Sequence, residues 1–246
     1  MDQQLLFTLL LSFCSLGCYV ILLRGLQIVL RTSVLDKQKQ RTVFSRTAVL
    51  LAVWLLLIAG LSLAGFFSSG SPLPPRVAFP MLISLIVVLW VAFSPTGTLL
   101  LRELPPHWLI YFQSFRIVVE IIIWLTVLYK IFPVQLSFEG RNVDVLVGLL
   151  AFPVGYYSFI KKAWPSIVVL LYNIFGLLSL INVVAVTVLS LPTPIRLFHN
   201  QPDSSMMSHF PFIFIPSFLA PLAISVHILS IRQWVLARQP RAVRLT

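Results

Sequence analysis

Residues 50–67 read LLAVWLLLIAGLSLAGFF, eighteen positions without a charge. The run is continuously apolar and lacks the every-second-residue alternation of a membrane β-strand. Its length falls in the range of roughly 17–25 residues with which a helix crosses hydrocarbon. There each backbone N–H and C=O must find a partner inside the segment, and a helix does this alone.

The rest of the chain repeats the pattern. Of 246 residues, 59% are hydrophobic and 10% charged, with a mean hydropathy of +0.97. A soluble domain carries about 45–50% apolar and about 25% charged residues, so this chain has too little polar surface to cover a water-soluble body. A soluble enzyme, a disordered chain and a disulfide-stapled secreted domain are excluded. Apolar runs at 5–23, 47–67, 78–94, 109–132, 145–160, 166–190 and 212–231 predict an all-α polytopic integral membrane protein. We expect a bundle of seven transmembrane helices forming a single domain over residues 1–246. Six spans is the alternative, because the third and fifth runs are short and Gly148, Pro153 and Gly155 interrupt the fifth. The longest predicted loop, 24–46, has 23 residues, well below the roughly 50 at which a domain begins. Function must therefore reside on helices and short loops.

Basic residues near span ends stay in the cytoplasm. On alternate sides of a seven-span layout, one face collects Arg24, Arg31, Lys37, Lys39, Arg41, Arg46, Arg102, Lys161, Lys162, Arg232, Arg238, Arg241 and Arg244, which is 13. The other collects Arg76, Lys130, Arg141 and Arg196, which is 4. The split predicts the N-terminus outside and the C-terminus cytoplasmic, in a cell membrane of the bacterial inner-membrane kind. Trp108, Trp164 and Trp234 fall at cytoplasmic ends, as an interfacial belt requires. The net charge of +11 is then a topology signal whose partner is the lipid bilayer. No aromatic–basic interleaving suggests nucleic acid. The opening MDQQ has no basic residue, so the first span is expected to be retained rather than cleaved. Cys14 and Cys18, both inside it, read as small packing residues.

Pro72, Pro74 and Pro75 predict an outer turn. Pro153, Pro216 and Pro221 lie inside spans and should kink them, freeing the carbonyls of Leu149, Phe212 and Ser217. Neighbouring helices or water repair such carbonyls, or an ion or polar substrate uses them.

The fourth span carries the sharpest polar signal. Within YFQSFRIVVEIIIW, residues 111–124, stand Gln113, Arg116 and Glu120. At about 100° per residue they share one face within about 60°. Arg116 and Glu120 are also spaced i, i+4 and can touch. A charge at mid-membrane costs about 2.5–3.5 kcal/mol on insertion scales and turns to the bundle interior. We therefore expect a buried Arg–Glu site, with Asn173 of the sixth span able to join it. Asn182, on the opposite face of that span, is expected to bond a neighbouring helix. Glu139, Arg141 and Asp144 beside the fifth span, with Arg196 and His199 from the next outer loop, form a candidate outer cluster.

His199, Met206, Met207 and His209 are residue types that suit copper, but their spacing matches no metal motif. His107 and His227 read as satisfied or interfacial histidines rather than heme ligands. No GxSxG elbow, HExxH motif or P-loop occurs, and the seventh span has no lysine for a Schiff base. No metal, cofactor or catalytic residue is expected. The expected function is a binding or transport module admitting a small polar or anionic ligand to a cavity lined by the fourth, sixth and seventh helices. Arg116 would attract the ligand and Glu120 would balance or relay charge. The alternative is a non-catalytic membrane subunit or sensor acting with a partner protein. A membrane partner or a homo-oligomer fits either reading.

Overall fold

The computed structural model describes residues 2–68 and 74–238. Pro72 of the outer turn and Arg241 and Arg244 of the basic tail lie outside the described residues. The protein is all-helical, with no strand among the described residues. The helices are α1 (Gln3–Thr32), α2 (Lys37–Leu63), α3 (Ala78–Phe93), α4 (Pro95–Glu103), α5 (Pro106–Phe112), α6 (Phe115–Leu128), α7 (Asp144–Gly155), α8 (Ile167–Leu189) and α9 (Ala220–Leu236).

Among the described residues, five helical segments are long and apolar enough to cross a membrane: α1, α2, the α5–α6 run Pro106–Leu128, α8, and Ile215–Leu236. A sixth exists if α3 and α4, which bend by 76° at Ser94, count as one. The predicted fifth span is the shorter apolar helix Asp144–Ile160. Its shortness has a physical source in the loop before it. Gln135, Leu136, Ser137 and Asn142 are buried, so the chain dips into the bundle before α7 begins. Glu120, eight residues before the end of α6 and thus about 12 Å below it, touches Asn142 of this loop.

The predicted 24–46 loop is mostly helix. α1 runs to Thr32 and α2 starts at Lys37. Arg, Lys and Gln are good helix formers in water, and a hydropathy window registers only the part that lipid accepts. Asp36 caps α2, its carboxylate accepting from Lys39 N at 2.8 Å. That bond, with the nearby Lys39 ammonium, holds its acid below the usual carboxylate range. The 94–108 connection likewise contains α4, capped by the Ser94 hydroxyl on Gly97 N at 3.0 Å.

α9 is the hub, packing on α3, α4, α5 and α8, while α7 packs on α5, α6 and α8. Phe7 of α1 is buried between Tyr129 and Phe212, at ring distances of 5.7 and 5.8 Å. At one end of the bundle Trp234 Nε1 donates to Ser166 O at 2.8 Å, and Gln233 Nε2 donates to Leu101 O at 2.8 Å. There too Arg232 donates to the Thr98 hydroxyl at 2.7 Å. At the other end Gln135 and Asn200 exchange side-chain amide bonds of 3.1 and 2.8 Å. There Ser62 donates to Ser208 O at 2.9 Å, and Asn182 to Arg141 O at 2.7 Å.

The prolines act locally. Pro153 lies inside α7, which passes into a π-helical turn at Tyr156–Ile160. Pro216 occupies the first turn of a π-helical segment (Ile215–Leu219), where no amide hydrogen is needed, while Pro221 stands where that segment runs on into α9. The carbonyl of Ser217 accepts from Trp54 Nε1 at 3.2 Å and from the Ser84 hydroxyl at 2.9 Å. Neighbouring helices thus repair the vacancy that Pro221 leaves.

Candidate functional site

α5 and α6 are separated by Gln113 and Ser114, and Arg116 is the second residue of α6. The side chain is 2% exposed, so its guanidinium must be satisfied by protein. Nε donates to Asp144 Oδ2 at 3.0 Å, and Nη2 forms an ion pair with Asp144 Oδ1. Nη1 lies 2.9 Å from His227 Nε2. A guanidinium only donates, so Nε2 accepts and the imidazole proton is on Nδ1. That nitrogen donates to Asn173 Oδ1 at 2.8 Å. The Asn173 amide then donates to Val169 O at 2.7 Å and to the Ser230 hydroxyl at 2.9 Å. One network thus joins α6, α7, α8 and α9.

Asp144 is the first residue of α7, where the positive end of the helix dipole favours a carboxylate. The Ser179 hydroxyl of α8 also donates to Asp144 Oδ1. The Asp144 amide donates to Asn142 Oδ1 at 2.9 Å. Asn142 Nδ2 in turn reaches both oxygens of Glu120 at 2.8 Å and Leu136 O at 2.9 Å. Glycines let the helices close on this centre. A β-carbon on Gly176 would collide with the His227 ring, and one on Gly148 would stand 2.7 Å from Ile117 Cγ1.

The expected Arg116–Glu120 contact is replaced. Arg116 pairs with Asp144, and Glu120 turns to Asn142. Spacing of i, i+4 permits contact, but a guanidinium gains more from a planar two-oxygen partner on a facing helix. Gln113, fully buried, donates to Ala223 O of α9 at 3.1 Å, and its Oε1 has no partner. Its side chain shares no bond with that of Arg116; the two meet only through the backbone, where Arg116 N donates to Gln113 O at 3.1 Å. Asn173 joins Arg116 through His227.

The expected outer cluster divides. Asp144 leaves it for the interior, because only there is there a buried cation to neutralise. Glu139 accepts from Trp124 Nε1 at 2.9 Å. Arg141 lies over the Phe198 ring at 5.2 Å, and Arg196 donates to Phe198 O at 2.8 Å and approaches Asp203 at 4.0 Å. His227, Asn142, Ser179 and Ser230 belong to the network and were not among the expected site residues. The signal for Asp144 was the need of an intramembrane cation for a carboxylate. Among the described residues no cluster of three or more metal-ligating side chains occurs. Met207, from the His/Met loop, is buried in the main core.

No curated protein and no solved structure matches the chain. The family described as a domain of unknown function (DUF8737) matches residues 72–235, about two thirds of the chain, and that stretch contains every residue of the Arg116 network. The chain therefore belongs to that family.

Proposed function

We propose that this protein is a membrane module that binds and moves a small polar or anionic ligand at Arg116. The proposal includes seven spans, with the N-terminus outside and the C-terminus in the cytoplasm of a bacterial inner membrane. The observation that carries it is the buried guanidinium, held by Asp144 of α7 and His227 of α9, with Asn173 of α8 holding the histidine. A bundle that needed only stability would gain as much from apolar packing, since replacing a buried ion pair by apolar residues is often neutral or stabilising by about 1–4 kcal/mol. The orientation draws on the 13-to-4 split of basic residues. Seven crossings are supported by the grouping of Ser166, Thr98, Leu101 and Trp234 at one end and of Ser62, Arg141, Ser190 and Ser208 at the other.

A second reading, a non-catalytic subunit or sensor, draws on a specific observation: Arg116 is enclosed, and all three of its guanidinium nitrogens face protein partners. Thiol accessibility separates the two. In a chain with Cys14 and Cys18 changed to Ser, a cysteine is placed at Ser179, with Ser68→Cys as an exposed control. A transporter opens, so a membrane-impermeant methanethiosulfonate should modify Ser179→Cys slowly from one face. Modification of the control alone, from both faces and at every pH tried, would reject transport in favour of the sealed subunit.

A further inference from the structure

We propose that the ligand at Arg116 is a small monocarboxylate and that one proton enters with it, onto Asp144. This rests on the reading of Arg116 as a binding site. The Nε–Nη2 edge of Arg116 holds a carboxylate already, that of Asp144. This fork is a receptor for a planar, two-oxygen, singly charged anion. The remaining nitrogen, Nη1, is engaged by His227 Nε2, and the carboxylate seat that the structure shows filled is the Nε–Nη2 edge. The chain's own side chain occupies the place that a ligand would take.

Charge then fixes the stoichiometry. Arg116 and Asp144 are 2% and 5% exposed. Whatever charge the buried Glu120 carries, seating an anion beside an ionised Asp144 adds one negative charge to the enclosed site, and withdrawing the Asp144 carboxylate with no ligand in its place adds one positive charge. Both are costly where water is excluded. The charge of the site is kept when Asp144, the carboxylate that gives up its seat to the incoming anion, becomes a carboxylic acid. No bond of the ligand forms or breaks. One O–H bond forms on Asp144, and its proton is drawn from hydronium or buffer acid in the adjoining aqueous phase, whose conjugate base is left there. The route is short, because Asp144 follows the exposed residues Arg141 and Val143. The ionisable groups facing Asp144 are Arg116 and Glu120 of α6, Tyr172 of α8 and His227 of α9. Tyr172 donates to Val147 O at 3.0 Å, Glu120 is held by Asn142, and both His227 nitrogens are engaged. Asp144 alone among them is a carboxylate seated on the guanidinium.

The test is calorimetric titration of the purified full chain with sodium formate. Affinity should rise about tenfold for each unit of pH between about pH 7.5 and pH 5.5, the slope for one linked proton. Repeating the titration in buffers of different ionisation enthalpy should count one proton taken up per formate. Asp144→Ala, purified in formate so that the guanidinium is never left alone, should bind with the slope abolished, and formate should raise its melting temperature more than that of the wild type. Arg116→Gln should bind at no pH. Formate binding with no pH slope and no proton uptake would overturn the coupling and leave the binding site standing. A slope that survives in Asp144→Ala but vanishes in Glu120→Gln would overturn the assignment to Asp144. Absence of binding at every pH, with no stabilisation of Asp144→Ala by formate, would remove the carboxylate site altogether.

Discussion

At the scale of the residue, Arg116 and Asp144 are each costly alone and tolerable together. Asp144→Ala strands a buried guanidinium and should lower stability by about 3–5 kcal/mol, read by reversible unfolding in mixed micelles without added anion. The double change Arg116→Met with Asp144→Leu should restore stability to the wild-type value or above while abolishing ligand binding. Recovery of both would place the pair outside function. Gly176→Ala should cost about 1–3 kcal/mol through overpacking against His227, measured in the same way. The importance of Arg116 and Glu120 was readable from sequence, because charges inside an apolar run must turn inward. Their partners were not. Pairing is decided across helices, and Asp144 sits where an apolar run meets a polar stretch, a position that reads equally well as loop.

At the scale of the element, breaks in helices are repaired by side chains rather than left open. Ser84→Ala and Trp54→Phe should each cost about 0.6 kcal/mol, the usual worth of an interhelical hydrogen bond in a membrane. Both should raise hydrogen exchange around Ser217 and Phe218. Asp36 caps α2 with a depressed acid. Its contribution is complete above the carboxylate's unfolded value of about 3.9 and fades as pH falls through the lower folded value. Exchange at Lys39 N should therefore quicken only in that acidic window. The α3 and α8 helices lie within a residue of the apolar runs that predicted them, because hydropathy tracks the surface that such helices leave apolar, whereas α9 is displaced toward the C-terminus of its run. The boundaries of α1 and α2 do not match, since their ends extend past the apolar runs on helix propensity, the Asp36 cap of α2 and the buried Val29 and Leu30 of α1.

At the scale of the whole molecule, the family match begins at residue 72, after α1 and α2, yet those helices are built into the core. Phe7 fills the space between Tyr129 and Phe212, and Trp54 holds the Ser217 carbonyl. Deleting residues 2–68 should therefore leave a chain that aggregates on extraction, seen as loss of the monodisperse peak in size exclusion. For the proposed orientation, alkaline phosphatase joined after Arg141 should be active, and green fluorescent protein joined after Arg238 should glow. The reverse pattern would invert the topology. The chain makes Arg116 28 residues before Asp144 and 111 before His227. During synthesis, α6 thus reaches the translocon with its cation unmatched. The carboxylate that neutralises it is made only afterwards, which makes the order of translation part of how this bundle assembles.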